Sequence, residues 1–110
     1  MSNSEILLWR KGEARGPAIS LLIYEHVALE ILSVLQARKL EIDLRELIDE
    51  LTTRLSGTFR GDIQWYILHV KEDLEQRGWI RTKVNRDHVQ IVGLSRSKSA
   101  TLKRAPIVIQ

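Results

Sequence analysis

The hydrophobic pattern changes its period at Gly78. Between about Asp62 and Arg77 the apolar residues Ile63, Ile67, Val70 and Leu74 recur at helical spacing. Beyond the glycine, Ile80, Thr82 and Val84 alternate with Arg81 and Lys83. A period of 3.6 directs one face of a helix inward, and a period of two does the same for a strand. The chain must therefore leave a helix and begin a strand within one or two residues. Glycine permits this because it adopts the left-handed conformation that ends a helix. Asn85-Arg86-Asp87 supplies turn chemistry. Val89 and Ile91 resume the alternation, so residues 79–84 and 88–93 are expected to pair as a hairpin.

Two further helices precede this junction. Pro17 suits the first position of a helix, where its missing N–H costs nothing. From there Leu21, Tyr24, Val27, Ala28, Ile31, Leu32, Val34 and Leu35 form one broad stripe, ending near Arg38-Lys39. Glu41-Ile42 is expected to be briefly extended. Asp43 then opens an Asp-x-x-Glu capping box with Glu46. Leu44, Leu47, Ile48, Leu51 and Leu55 are the buried face of the second helix, which Ser56 to Gly61 breaks before the third. At the N-terminus, Ile6 to Trp9 read as a strand or short helix followed by a loop. Residues 94–104 read as a short helix or a loose basic tail, and Ile107-Val108-Ile109 is a β-prone end. The sequence thus describes one α+β domain over residues 1–110, with its core at about 17–94, an N-terminal arm at 1–16 and a basic tail at 95–110.

Charge is distributed unevenly. Residues 1–76 hold nine Lys/Arg against thirteen Asp/Glu, a net −4, while residues 77–110 hold eight Lys/Arg and one acid, a net +7. A basic C-terminal third on an acidic body suits a polyanionic partner. The absence of cysteine excludes disulfides and thiol chemistry. Met1-Ser2-Asn3-Ser4-Glu5 has no basic signal region, and the apolar runs are too short for a membrane span, so a cytoplasmic location is expected.

Leu74-Glu75-Gln76-Arg77-Gly78-Trp79-Ile80 resembles the junction at which the third helix of bacterial winged-helix repressors enters the wing. Val92-Gly93-Leu94-Ser95-Arg96-Ser97-Lys98 is similar to the stretch after that wing, departing at its final glycine, where Ser97 or Lys98 stands here. The resemblance, to the winged helix-turn-helix superfamily, spans about residues 18–98. It implies a three-helix helix-turn-helix core, a two-stranded β-hairpin wing and binding to double-stranded DNA, as in a small transcriptional regulator. Helix 3 would enter the major groove with Gln64, Trp65 and His69. Arg81, Lys83, Arg86 and His88 would lie on the wing. Arg45 and Arg54 of helix 2 would support backbone contacts, and Arg60 would meet a phosphate near the start of helix 3.

The residues of helix 3 also support another reading. Trp65 and Leu68 fit a protein-binding spot, or core covered by a terminal segment, and Glu72, Asp73 and Glu75 are expected to repel phosphate. Leu22 and Leu29 form a second apolar strip on helix 1, which implies either a homodimer surface or packing against Ile6 to Trp9. His26 and Glu30 have a spacing that can hold a metal, but no HExxH motif or acidic cluster accompanies them. The sequence therefore implies neither a metal, a cofactor nor an enzymatic activity.

Overall fold

The computed structural model describes residues 4–38 and 41–95, apart from the side chains of Glu13 and Ala14. The fold is α+β. Strands β1 (Glu5–Arg10) and β2 (Ala14–Ser20) form an antiparallel hairpin, joined through a short turn at Lys11–Glu13. Helix α1 (Leu21–Ala37) follows, then β3 (Glu41–Asp43), α2 (Leu44–Leu55), α3 (Ile63–Gln76), β4 (Ile80–Val84) and β5 (Gln90–Leu94). The last three strands form an antiparallel sheet in the order β3-β5-β4.

Pro17 lies in β2, not at the start of α1 as its chemistry suggested. Leu7 pairs with Ala18 and Trp9 with Arg15, so Gly16 and Pro17 together oppose Leu8 as a β-bulge. A bulge tolerates a residue that cannot donate to the ladder. Gly16 also leaves room for its neighbour, since a Cβ there would come within 2.9 Å of Arg10 Cγ. Helix α1 begins four residues later than Pro17, with Ser20 Oγ accepting from the Ile23 N–H at 3.5 Å.

Helix α1 is central, and its buried residues Tyr24, Val27, Ala28, Ile31, Leu32, Val34 and Leu35 reproduce the stripe in the sequence. Leu47, Leu51 and Leu55 of α2 join them, as do Ile67, Val70 and Leu74 of α3. Ile6, Leu8 and Ile19 of the first hairpin complete the same core. Asp43 caps α2 by accepting from the N–H groups of Arg45 at 2.7 Å and Glu46 at 3.4 Å. Glu46 does not complete the expected box; its carboxylate meets Arg38 at 3.4 Å.

Gly78 (φ +84°) ends α3 as its position predicts. The Trp79 N–H donates to Leu74 O at 3.0 Å and the Gly78 N–H to Glu75 O at 3.1 Å, the paired bonds of a Schellman stop. The hairpin that follows differs in phase from the expected one. Asn85 Oδ1 accepts from the N–H groups of Asp87 and Val89, and Asn85 N–H donates to Val89 O, so the loop occupies Asn85 to Val89. Strand β5 consequently starts at Gln90, with Thr82 opposite Val92 and Ile80 opposite Leu94. Val92 and Leu94, and not Val89 and Ile91, are its buried apolar pair.

A charged group is fully enclosed among these elements. Asp73 of α3 is completely buried. Its Oδ1 accepts from the Tyr24 hydroxyl of α1 and from Arg77 Nε, each at 2.6 Å, while Oδ2 accepts from the Trp9 N–H of β1 at 2.7 Å. Burial, reinforced by the hydrogen bond and charge of Asp73, pushes the Tyr24 hydroxyl far above its ordinary pKa. Removing one partner of a buried charge pair costs about 3–5 kcal/mol, so Asp73→Ala is expected to lower stability in urea denaturation by that order. Tyr24→Phe should cost about 1.5–3 kcal/mol at neutral pH, as for a hydrogen bond to a charged group. The raised folded pKa makes this contribution complete below the unfolded tyrosine value and progressively lost above it. The wild-type advantage over Tyr24→Phe should therefore shrink by about 1.4 kcal/mol per pH unit above roughly pH 10.

Candidate functional site

The outward face of α3 begins in an aromatic cluster. Asp62 caps the helix by accepting from the Trp65 N–H at 3.1 Å. Tyr66 meets Phe59 edge-on, with ring centroids 5.1 Å apart, and meets Trp65 in the same manner at 5.2 Å. On its other side Trp65 stacks on the His69 ring at 4.2 Å. These contacts fix the indole while leaving it 37% exposed, beside Leu68 at 44%. The N-terminal hairpin does not cover either side chain, and residues 96–110 lie outside the described part of the chain.

Gln64, one residue before Trp65, is exposed and lines an open groove of about 680 Å³. Arg45 and Asp49 of α2 and His88 and Gln90 of the second hairpin line its other sides. The groove thus joins the starts of two helices to the hairpin's returning strand. Arg86 is exposed at the hairpin loop and Arg60 is exposed just before α3. Neither they nor Arg45 makes an ion pair among the described side chains.

Arg81 and Lys83 are placed differently. Both lie on the outer side of β4, where Glu41 of β3 reaches Lys83 Nζ at 3.0 Å and the Arg81 guanidinium at 3.7 Å. Gly93 of β5 separates the two outer strands at this level, pairing with both Glu41 and Arg81. Arg54 is likewise engaged, by Glu30 at 3.1 Å and Glu50 at 2.9 Å. This also takes Glu30 away from the metal-spaced pair it formed with His26. Among the described residues, no three His, Asp or Glu side chains converge as a metal site.

The acids of α3, expected to repel phosphate, each have a partner, although Glu72 meets only a neutral N–H and keeps its charge. Asp73 sits in its buried network, Glu75 is paired with Lys71 Nζ at 2.8 Å, and Glu72 accepts from the Lys11 N–H at 2.8 Å. The last contact also identifies residues that the sequence reading missed. Arg10, Lys11 and Arg15 are exposed around the tip of the β1–β2 hairpin, next to α3, and make no ion pair among the described side chains. The Arg15 guanidinium lies over the Trp9 ring at 4.8 Å. The net negative charge of residues 1–76 conceals this local excess. Its signal is the stretch Trp9-Arg10-Lys11-Gly12, read as a strand that ends at a glycine turn.

Leu22 is 78% exposed and Leu29 is 47% exposed, so the first hairpin leaves the strip on α1 open. No described helix is long and apolar enough to cross a membrane. No curated protein and no solved structure matches the chain. One family profile does match, over residues 10–90, and the chain belongs to that family, which is described as a family of unknown function (DUF6958).

Proposed function

We propose that this chain is a winged-helix DNA-binding protein, a small cytoplasmic transcriptional regulator in which α3 enters the major groove and the β4–β5 hairpin is the wing. The observation that carries the reading is the groove shared by α3 and the hairpin. There Gln64 at the start of α3 lies with Arg45, His88 and Gln90, and the exposed Arg60 and Arg86 stand nearby in the chain on either side. Three helices passing through a glycine stop into a two-stranded hairpin is the order the reading requires. Pairing of β3 with β5 roots that hairpin in the body beside α2. Gln64 and His69 supply polar groups for base edges, while guanidinium groups grip phosphates and set the register.

In this reading Arg45, Arg60 and Arg86 are the phosphate contacts that make no ion pair among the described side chains, with Asp43 and Asp49 lining the same groove as Arg45. Arg81 and Lys83 must first leave Glu41. That pair is about half exposed on both sides and is therefore weak, so a phosphate can displace the carboxylate. The exposed Leu22 and Leu29 strip is the surface on which two copies would associate. Leu22→Glu/Leu29→Glu is expected to give a monomer in sedimentation, against a wild-type dimer.

A second reading, docking of a protein partner, is favoured by the exposed apolar pair Trp65 and Leu68. A fluorescence-anisotropy titration of a mixed-sequence duplex separates the two. Wild type should bind at about 50 mM salt and weaken steeply by about 200 mM, because each neutralised phosphate releases counterion. Lys83→Glu/Arg86→Glu should bind at least tenfold more weakly, and Glu41→Gln should bind more tightly with a steeper salt dependence. No wild-type binding at low salt would reject the DNA reading, and attention would pass to the partner-binding defect of Trp65→Ala.

A further inference from the structure

The DNA reading uses one hairpin, yet a second one touches the same helix. Leu68, Glu72 and Gln76 follow one another at four-residue steps along α3, so they share the outward stripe that begins at Trp65. The tip of the β1–β2 hairpin is fastened to that stripe, with the Lys11 N–H donating to Glu72 Oε2 at 2.8 Å. One strand residue earlier, the Trp9 N–H is held by the buried Asp73 at 2.7 Å. The hairpin is thus tied to the second half of α3 by two bonds to carboxylates, while the wing flanks its first turn at Gln64.

Arg10, Lys11 and Arg15 are exposed and without ion pairs among the described side chains, in contrast to Arg38, Arg54, Arg81 and Lys83. The Arg10 stem lies where a Cβ at Gly16 would meet it, so the missing side chain there leaves this cation its path. The Arg15 guanidinium rests on the Trp9 face, and Trp9, Arg15, Gln76 and Arg77 line one groove at the end of the helix. The Trp9 face with the Arg15 guanidinium on it and the Gln76 amide beside it suits an anionic backbone, while Arg77 is held by Asp73.

We infer that the β1–β2 hairpin is a second DNA-contacting arm, placing Arg10, Lys11 and Arg15 on backbone phosphates across the groove from those met by the wing. This inference rests on the DNA reading. Gln64 and Glu72 are eight residues apart, roughly 12 Å along the helix axis. The major groove of B-DNA is about 12 Å wide, so arms at these two levels can reach its opposite walls. The two bonds between the hairpin and α3 fix the arm to the helix.

The test uses the full chain and a mixed-sequence duplex in fluorescence anisotropy from about 50 to 200 mM salt, with each cation lost from a phosphate expected to lower the salt slope by about 0.9. The triple variant Arg10→Gln/Lys11→Gln/Arg15→Gln keeps the Lys11 N–H and hence its bond to Glu72. Its slope should be smaller than that of wild type by about 2 to 3, and its affinity at low salt at least tenfold weaker. Should the triple variant melt early, the three single variants carry the test, each expected to lower the slope by about one. A triple variant that keeps the wild-type slope while Lys83→Glu/Arg86→Glu loses binding would overturn the second arm and leave the DNA reading in place. No binding by wild type at low salt would overturn both.

Discussion

Asp73 is the point at which three elements of this fold meet. An ionised carboxylate sealed from water is costly unless donors surround it. Here Tyr24 comes from the central helix, Arg77 from the C-cap of α3, and the Trp9 N–H from the first strand. None of these donors can move away without leaving a buried charge short of a partner. The network therefore specifies the position of the hairpin against α3 as well as contributing stability. Apolar contacts from Ile6 and Leu8 hold β1 in the core, but they are not directional and do not set its register on the helix.

The same economy governs the surface charge. Along α3 each carboxylate has a partner: Glu72 a backbone N–H that leaves its charge in place, Asp73 its three donors, Glu75 the Lys71 ammonium. On the sheet, Glu41 stands between the two cations of β4, and on α2 the Arg38 and Arg54 guanidinium groups share Glu50. A basic residue count is consequently a poor guide to where an anionic partner is met. Among the described side chains, Arg45 and Arg60 near the start of α3, Arg86 in the β4–β5 loop, and Arg10, Lys11 and Arg15 near the end of α3 make no ion pair. The difference between paired and unpaired cations, more than their number, directs the functional reading to the two ends of one helix.

Much of the helical architecture was legible in the sequence because its causes are local. The α1 and α2 stripes, the Asp43 cap and the Gly78 stop each depend on residues within one or two turns. What escaped depends on pairing between distant or irregular segments. Pro17 has the chemistry of a helix start, and only the partner strand reveals that it sits in a bulge. The phase of β5 is set by how Asn85 folds the loop on itself, which moves the buried apolar pair to Val92 and Leu94. Of the site, the loop position of Arg86 followed from turn chemistry, whereas periodicity left Trp65 open between a covered and an exposed position. The burial of Asp73 did not follow, since an aspartate flanked by Glu72 and Glu75 reads as a solvated face. The pairing of Arg81 and Lys83 with Glu41 also required knowing that β3 and β4 lie on either side of β5.

The central claim is that one continuous face, running from the wing across α3 to the first hairpin, is where DNA is met. Amide chemical-shift mapping of the labelled chain during titration with a short duplex tests it most directly. The account predicts shifts that grow together at residues 60–69, 86–90 and 10–15, with little change at Leu22 to Leu29 on α1. Shifts confined to α1, or a spectrum unmoved by excess duplex at low salt, would contradict it.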